Sequence, residues 1–231
     1  GLTYLGFHFS LERVFSGLRI NNAADDPSGL AIAKQMEAQI GGIRKAVQNA
    51  EDGINLIHTA DGALHETQDI LLRMRDLAVR GSNEAPLTQS DLDRLQREFH
   101  ALKQELERKS TAVKFNTKTL FDSTFSGTGP AMGGPGLALQ IGPDNGAQFR
   151  LTVHIPELGL SGLGLSDGAN TVTLSAATRS MSAIDFVQSA LDQVSDVRAN
   201  LGIQERRLQH VIDDLAAEDI NISAAKSRIY D

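Results

Sequence analysis

Toward the C-terminal end of the chain, apolar side chains recur at alternating steps of three and four. The series is Val187, Ala190, Val194, Val197, Leu201, Leu208, Val211, Leu215 and Ile222, broken only by Gln204 and Glu218. This spacing keeps a narrow stripe turned toward a partner helix, which is coiled-coil geometry rather than the wider face of a globular-core helix. A second stripe runs nearer the start through Met36, Ile40, Ile43, Val47, Ala50, Ile54 and Ile57. It continues as Ala60, Leu64, Thr67, Leu71, Met74 and Ala78, and the paired steps of three around Ile57 predict a local overwinding there. Long helices tied back to back make a rod, an architecture that suits assembly better than catalysis.

Helix boundaries follow from local chemistry. Asp25 or Asp26 can cap the first helix, with Pro27 in its first turn, where a missing N–H costs nothing. This helix should run to about Gly81, although Gly41, Gly42, Gly53 and Gly62 each weaken it by roughly 1 kcal/mol relative to Ala. Those glycines are read as places where another backbone comes close. A break at Ser82–Pro86 precedes a Thr88–Asp91 cap and a second helix on Leu92, Leu95, Phe99, Leu102 and Leu106, ending near Ser110.

The middle of the chain changes period. Leu137–Ile141 and Phe149–Ile155 read as strands around a turn at Gly142–Gly146, and Thr171–Leu174 reads as a third strand. The Gly-, Leu- and Ser-rich stretch Leu158–Asp167 reads as a loop whose glycines let it hug the helices. The predicted class is mainly α with a small β region: an elongated antiparallel helical rod, coiled-coil-like, plus a β-hairpin segment. Its predicted organisation is an N-terminal flank (1–20), the first two helices of the rod core (21–114), a glycine-rich hairpin and loop segment (115–180), and a long C-terminal helix (181–231).

Composition narrows the function classes. Aromatic residues are 5% and Trp is absent, which favours a bundle packed on aliphatic side chains. The net charge of −7, with Lys and Arg scattered among acids, shows no basic stripe for nucleic acid. Cysteine is absent, which removes disulfides, zinc–thiolate sites and thiol nucleophiles together. No apolar run is long enough to insert in a membrane, and the apolar start Gly1–Phe9 lacks the basic lead of a signal peptide.

No catalytic constellation is complete in the sequence. His65-Glu66 begins like a zinc-protease motif, but Asp69 stands where the second His must fall, so a solvated helix face is the better reading. His58, His100, His154 and His210 show no ligand spacing, and the pairs Asp25-Asp26 and Asp213-Asp214 point about 100° apart on a helix. No nucleophile elbow or phosphate loop is present. The expectation is a protein that is no enzyme and needs no cofactor or metal.

The run Phe15-Ser16-Gly17-Leu18-Arg19-Ile20-Asn21-Asn22-Ala23-Ala24-Asp25-Asp26-Pro27-Ser28-Gly29-Leu30-Ala31-Ile32 resembles bacterial flagellin. The likeness continues at Gln48–Ile54, Thr59–Leu64, Leu72–Val79, Phe115-Asn116-Thr117, Leu139–Gly142, Val197–Gly202 and Ser223–Ile229, covering about residues 11–120 and 182–231 in family order. The resemblance implies a subunit of the flagellar filament, exported through the flagellar channel to the extracellular side. It further implies polymerisation with its own copies, an export chaperone, a cap protein, and recognition by the Toll-like receptor for flagellin. In the matching motif the receptor or subunit contacts fall on Arg73, Leu77 and Glu98, with Arg73 and Leu77 one turn apart. The chain stops at Tyr230-Asp231, its first ten residues depart from the family pattern, and Val14-Phe15 replaces a more usual Leu-Ser. These departures lead to the expectation of a soluble monomer that does not form filaments by itself. The rival readings are a hook–filament junction protein and a flagellin-like adhesin or polysaccharide receptor.

Overall fold

The computed structural model describes residues 26–83, 87–121, 136–166 and 172–230; the readings at residues 1–25, at 84–86, at Asp167 and at Thr171 lie outside them. Three long helices dominate: α1 (Pro27–Gly81), α2 (Gln89–Ala112) and α3 (Ala177–Tyr230). Asp26 opens α1 as expected, its Oδ1 accepting from the N–H groups of Ser28 at 3.1 Å and Gly29 at 3.0 Å. A reciprocal capping box between Thr88 and Asp91 opens α2.

The chain divides into two compact units. The first holds the described residues 26–52, 140–151 and 207–230; the second holds residues 53–139 and 152–206 as far as they are described.

In the second unit α1 and α3 run antiparallel, joined by His58 to Glu205 at 2.8 Å and by Gln68 to Ser195 at 3.0 Å. The α1 stripe Ala60, Leu64, Leu71, Met74 and Ala78 is wholly enclosed at 0% exposure. Opposite it lie Val187, Ala190, Val194 and Leu201, which are buried, with Val197 just inside the surface. Helix α2 is antiparallel to α1 and adds Leu95, Phe99 and Leu106. Leu158, Leu163, Leu165, Val172 and Leu174 come from the loop, which closes over α2: the Leu160 N–H donates to Glu107 Oε2 at 3.1 Å.

In the first unit the α1 and α3 segments enclose a smaller cluster of Ile43, Ala46 and Leu215, with Val47, Val211 and Ile222 half-buried against it. Gln39 reaches Glu218 at 3.2 Å and Arg44 reaches Asp219 at 3.3 Å.

Several expectations require correction. Ile54 and Val47 are only half-buried, whereas Ala46 and Gly53 are buried. The enclosed series is therefore Ile43, Ala46, Ala50, Gly53, Ile57, Ala60, Leu64, unbroken through Ile57. The paired steps of three fall instead at Ile40, Ile43 and Ala46. Hydrophobicity favoured the larger side chains, but the small residues occupy the inner positions because they let the facing helix approach. Val211 lies on the C-terminal stripe as expected but is half-exposed. On α2 the inward residue after Phe99 is Lys103 rather than Leu102.

The strands are short. β1 (Lys114–Phe115) and β2 (Lys118–Thr119) form an antiparallel hairpin pairing Lys114 with Thr119 and Phe115 with Lys118, which the sequence reading missed. Its two-residue turn holds Asn116 at φ 46° and Thr117 at φ 69°, the left-handed pair of a type I′ hairpin turn. β3 (Leu137–Gln140) pairs with β4 (Arg150–Val153), and a 3₁₀ turn at Ala147–Phe149 leads into β4. Residues 172–174 are not a strand. Their alternation is real, with Val172 and Leu174 buried, but side chains of α2 satisfy their backbone: Lys103 donates to Val172 O, and Gln96 accepts from the Leu174 N–H. Of the α1 glycines, Gly42 meets the expected close approach, since a Cβ there would lie 2.9 Å from Pro143 Cβ. Gly41 and Gly62 face open space.

Candidate functional site

Arg73 and Glu98 are brought together on the outer face of the α1–α2 pair. Glu98 Oε1 accepts from Arg73 Nε at 2.8 Å and lies 2.6 Å from Nη2, and both side chains stand about half in solvent. Leu77, expected beside Arg73, is 2% exposed and belongs to the core. Its one-turn offset from Arg73 spans the edge of the buried stripe rather than running along the outer face. The apolar groups that do reach solvent from this stretch are Leu72 and Val79, seven residues apart on one helix face. The sequence reading passed over both, although their positions outside the stripe were visible.

Two polar arrangements support this surface. Arg198 donates to both carboxylate oxygens of Asp61, at 2.7 and 3.3 Å, and to Gln68 Oε1 at 2.6 Å, while Gln68 reaches on to Ser195. The Asp61 hydrogen bond raises the Arg198 pKa against the opposing effect of burial. This forked contact fixes the register of α3 against α1. The second arrangement centres on Lys103, which is 4% exposed and has its Nζ 3.3 Å from both Leu165 O and Val172 O. Desolvation lowers its pKa, and both of these partners are backbone carbonyls. Lys109 pairs with Glu66, whose pKa that contact lowers.

Nothing in these arrangements pairs a nucleophile with a base. His65 faces Asp69 at 3.5 Å with both side chains well exposed, a solvated i,i+4 pair. Among the described residues no cluster of three or more metal-ligating side chains occurs, and no helix is long and apolar enough to cross a membrane. The unit built from residues 26–52, 140–151 and 207–230 carries an open groove of about 760 Å³ lined by Lys34, Glu37, Ile40, Arg44, Lys226 and Tyr230. Ile32 and Ile220 are also exposed in that unit.

The bacterial flagellin N-terminal helical region matches residues 6–126, and the bacterial flagellin C-terminal helical region matches residues 184–231. The chain belongs to the bacterial flagellin family. A flagellin of Halalkalibacterium halodurans is 40% identical over 96% of the chain and 76% of its own length. The flagellar filament core protein flaB2 of Brachyspira hyodysenteriae is 37% identical over 94% of the chain and 75% of its own length. In structure, Bacillus cereus flagellin aligns with a TM-score of 0.58 at 27% identity, covering 78% of this flagellin-family chain and 94% of the other. A protein of Vibrio parahaemolyticus described as flagellar hook-associated aligns with a TM-score of 0.70, covering 89% of this chain and 99% of the other. At 13% identity that second likeness speaks to fold alone.

Proposed function

We propose that this chain is a structural subunit of the bacterial flagellar filament, where many copies pack through their helices into a propeller for swimming. The observation carrying the proposal is the flagellin match at both ends of the sequence, with relatives that bear the names flagellin and flagellar filament core protein. The half-buried stripe at Val47, Val211 and Ile222 supports it, because copies of the chain can complete the burial that two helices leave unfinished. The subunit travels through the flagellar export channel to the extracellular side, attended by an export chaperone and placed by a cap protein. The residue organisation 1–20, 21–114, 115–180 and 181–231 then describes its flank, first two helices, hairpin and loop segment, and closing helix.

Immunogold electron microscopy of source cells with antibody to this chain tests the reading. Gold along the whole filament is the expected result. A single cluster where filament meets hook overturns it in favour of a junction protein, and label over the cell body favours an adhesin.

A host Toll-like receptor for flagellin recognises the exposed face around Arg73 and Glu98, without the buried Leu77. An arginine is a frequent centre of binding energy at such a face. Arg73→Ala should weaken receptor signalling without lowering the melting temperature. Equal signalling by variant and parent would refute this part.

A further inference from the structure

Asn145-Gly146 is the single Asn-Gly pair in the sequence, and it sits at the exposed end of the connection between β3 and β4. The residues before it are held firmly. Gln140 donates through Nε2 to Gly142 O at 2.9 Å and to Asp144 O at 2.7 Å, and the Ile141 N–H donates to Phe149 O at 2.8 Å. The connection is fastened to α1 by Asn49 Nδ2, which donates to Gln140 O at 3.0 Å, and by Pro143 packed on Gly42. Gly146 accepts from the Phe149 N–H, but its own N–H donates to no backbone carbonyl among the described residues. Glycine after asparagine leaves that nitrogen unshielded by any side chain of its own residue. On the other side, Arg150 Nη2 lies 3.5 Å from Asn145 Oδ1, where a guanidinium polarises the amide carbonyl.

We propose that Asn145 is a site of spontaneous covalent modification: it loses ammonia through a cyclic imide, and the product loosens the connection from α1. The Gly146 backbone nitrogen attacks Asn145 Cγ and forms a new N–C bond. The bond from Cγ to the side-chain nitrogen breaks, and ammonia leaves with the proton lost by Gly146. The developing negative charge on Oδ1 faces the Arg150 guanidinium. Water then opens the imide at either carbonyl, leaving aspartate or isoaspartate at position 145. Either opening adds a carboxylate beside Asp144, and the isoaspartyl product also lengthens the backbone within the span that the Ile141–Phe149 hydrogen bond closes.

The test incubates the full chain at mildly alkaline pH and follows each asparagine by mass spectrometric peptide mapping with isoaspartyl detection. The expected result is acid at position 145, in both isomeric forms, ahead of the exposed Asn83 and the turn residue Asn116. In Gly146→Ala the modification at 145 should fall to the level of those other asparagines. This variant is tolerated at a φ of 176°, where the added methyl meets only the movable end of Gln148. Retention of the amide at 145 while Asn83 or Asn116 converts overturns the proposal. An unchanged rate in Arg150→Gln removes the guanidinium from it. Faster amide exchange at Ile141 in the modified protein supports the loosening, and unchanged exchange there refutes that part.

Discussion

The two compact units use the same pair of helices and finish the job differently. In residues 53–81 and 177–206 a third helix and a loop complete the enclosure, and Leu64, Leu71, Met74, Val187 and Val194 have no exposure. In residues 26–52 and 207–230 the α1 and α3 segments face each other with only the 140–151 connection beside them, no third helix being described there, and Val47, Val211 and Ile222 stay half-exposed. A heptad stripe therefore specifies a direction to face, while the number of walls around it decides how much water is removed. The first unit therefore leaves part of its stripe in water, whereas in the second the exposed apolar groups, Leu72, Val79 and Phe186 among them, lie off the stripe.

Unequal truncation costs would sharpen this contrast most. Leu71→Ala should cost about 2–5 kcal/mol, as deletions from closed cores do. Val211→Ala should cost about 1 kcal/mol, the centre of the range for single substitutions. Chemical denaturation of the two variants checks this, and equal losses would erase the distinction between the units.

Removing the third wall should come next. Lys103→Ala leaves Val172 O without its donor and Leu165 O with only the Val172 N–H at 3.4 Å, a loss of about 1–3 kcal/mol. Amide exchange should then rise in 158–174 while 27–52 is unchanged. The same lysine gives a pH signature. Its folded-state pKa is lowered from 10.5, so the unfolded chain holds the proton more tightly. Its contribution to stability should rise with pH between the depressed folded value and that of the free side chain, an increase absent from Lys103→Met.

A smaller effect belongs to the β1–β2 turn. Thr117 is β-branched at φ 69°, so Thr117→Gly should stabilise by about 1 kcal/mol in a thermal melt. The smallest effect expected is at the surface. A double-mutant cycle on Arg73 and Glu98 should return about 0.2–1 kcal/mol, and less in high salt. The Arg44–Asp219 pair of the other unit should behave alike, because at both sites solvent screens the charge.

Helix boundaries and most of the stripe were legible because period and capping are local properties: Asp26, the Thr88–Asp91 box and the run from Val187 to Ile222 all stand where the sequence placed them. The choice of Ala46 and Gly53 over Val47 and Ile54 was not legible. Hydrophobic weight favours the larger residue, whereas helix approach favours the smaller. Lys103 was hidden for a related reason: its lysine reads as surface until the carbonyls it serves, more than sixty residues away, are known. Of the three contact residues carried by the family resemblance, Arg73 and Glu98 meet on the exposed face and Leu77 turns inward.

The loop anchor at Lys103 differs in kind from the ties between helices. Glu66 to Lys109 and Asp61 to Arg198 each rest on a carboxylate, and the folded state depresses the Glu66 pKa, so its contribution disappears as acid carries the pH down through that value. Lys103 instead holds two peptide dipoles, which acid does not titrate and salt screens little beneath the surface. Acidification should therefore weaken the Glu66–Lys109 tie before it reaches the Lys103 anchor.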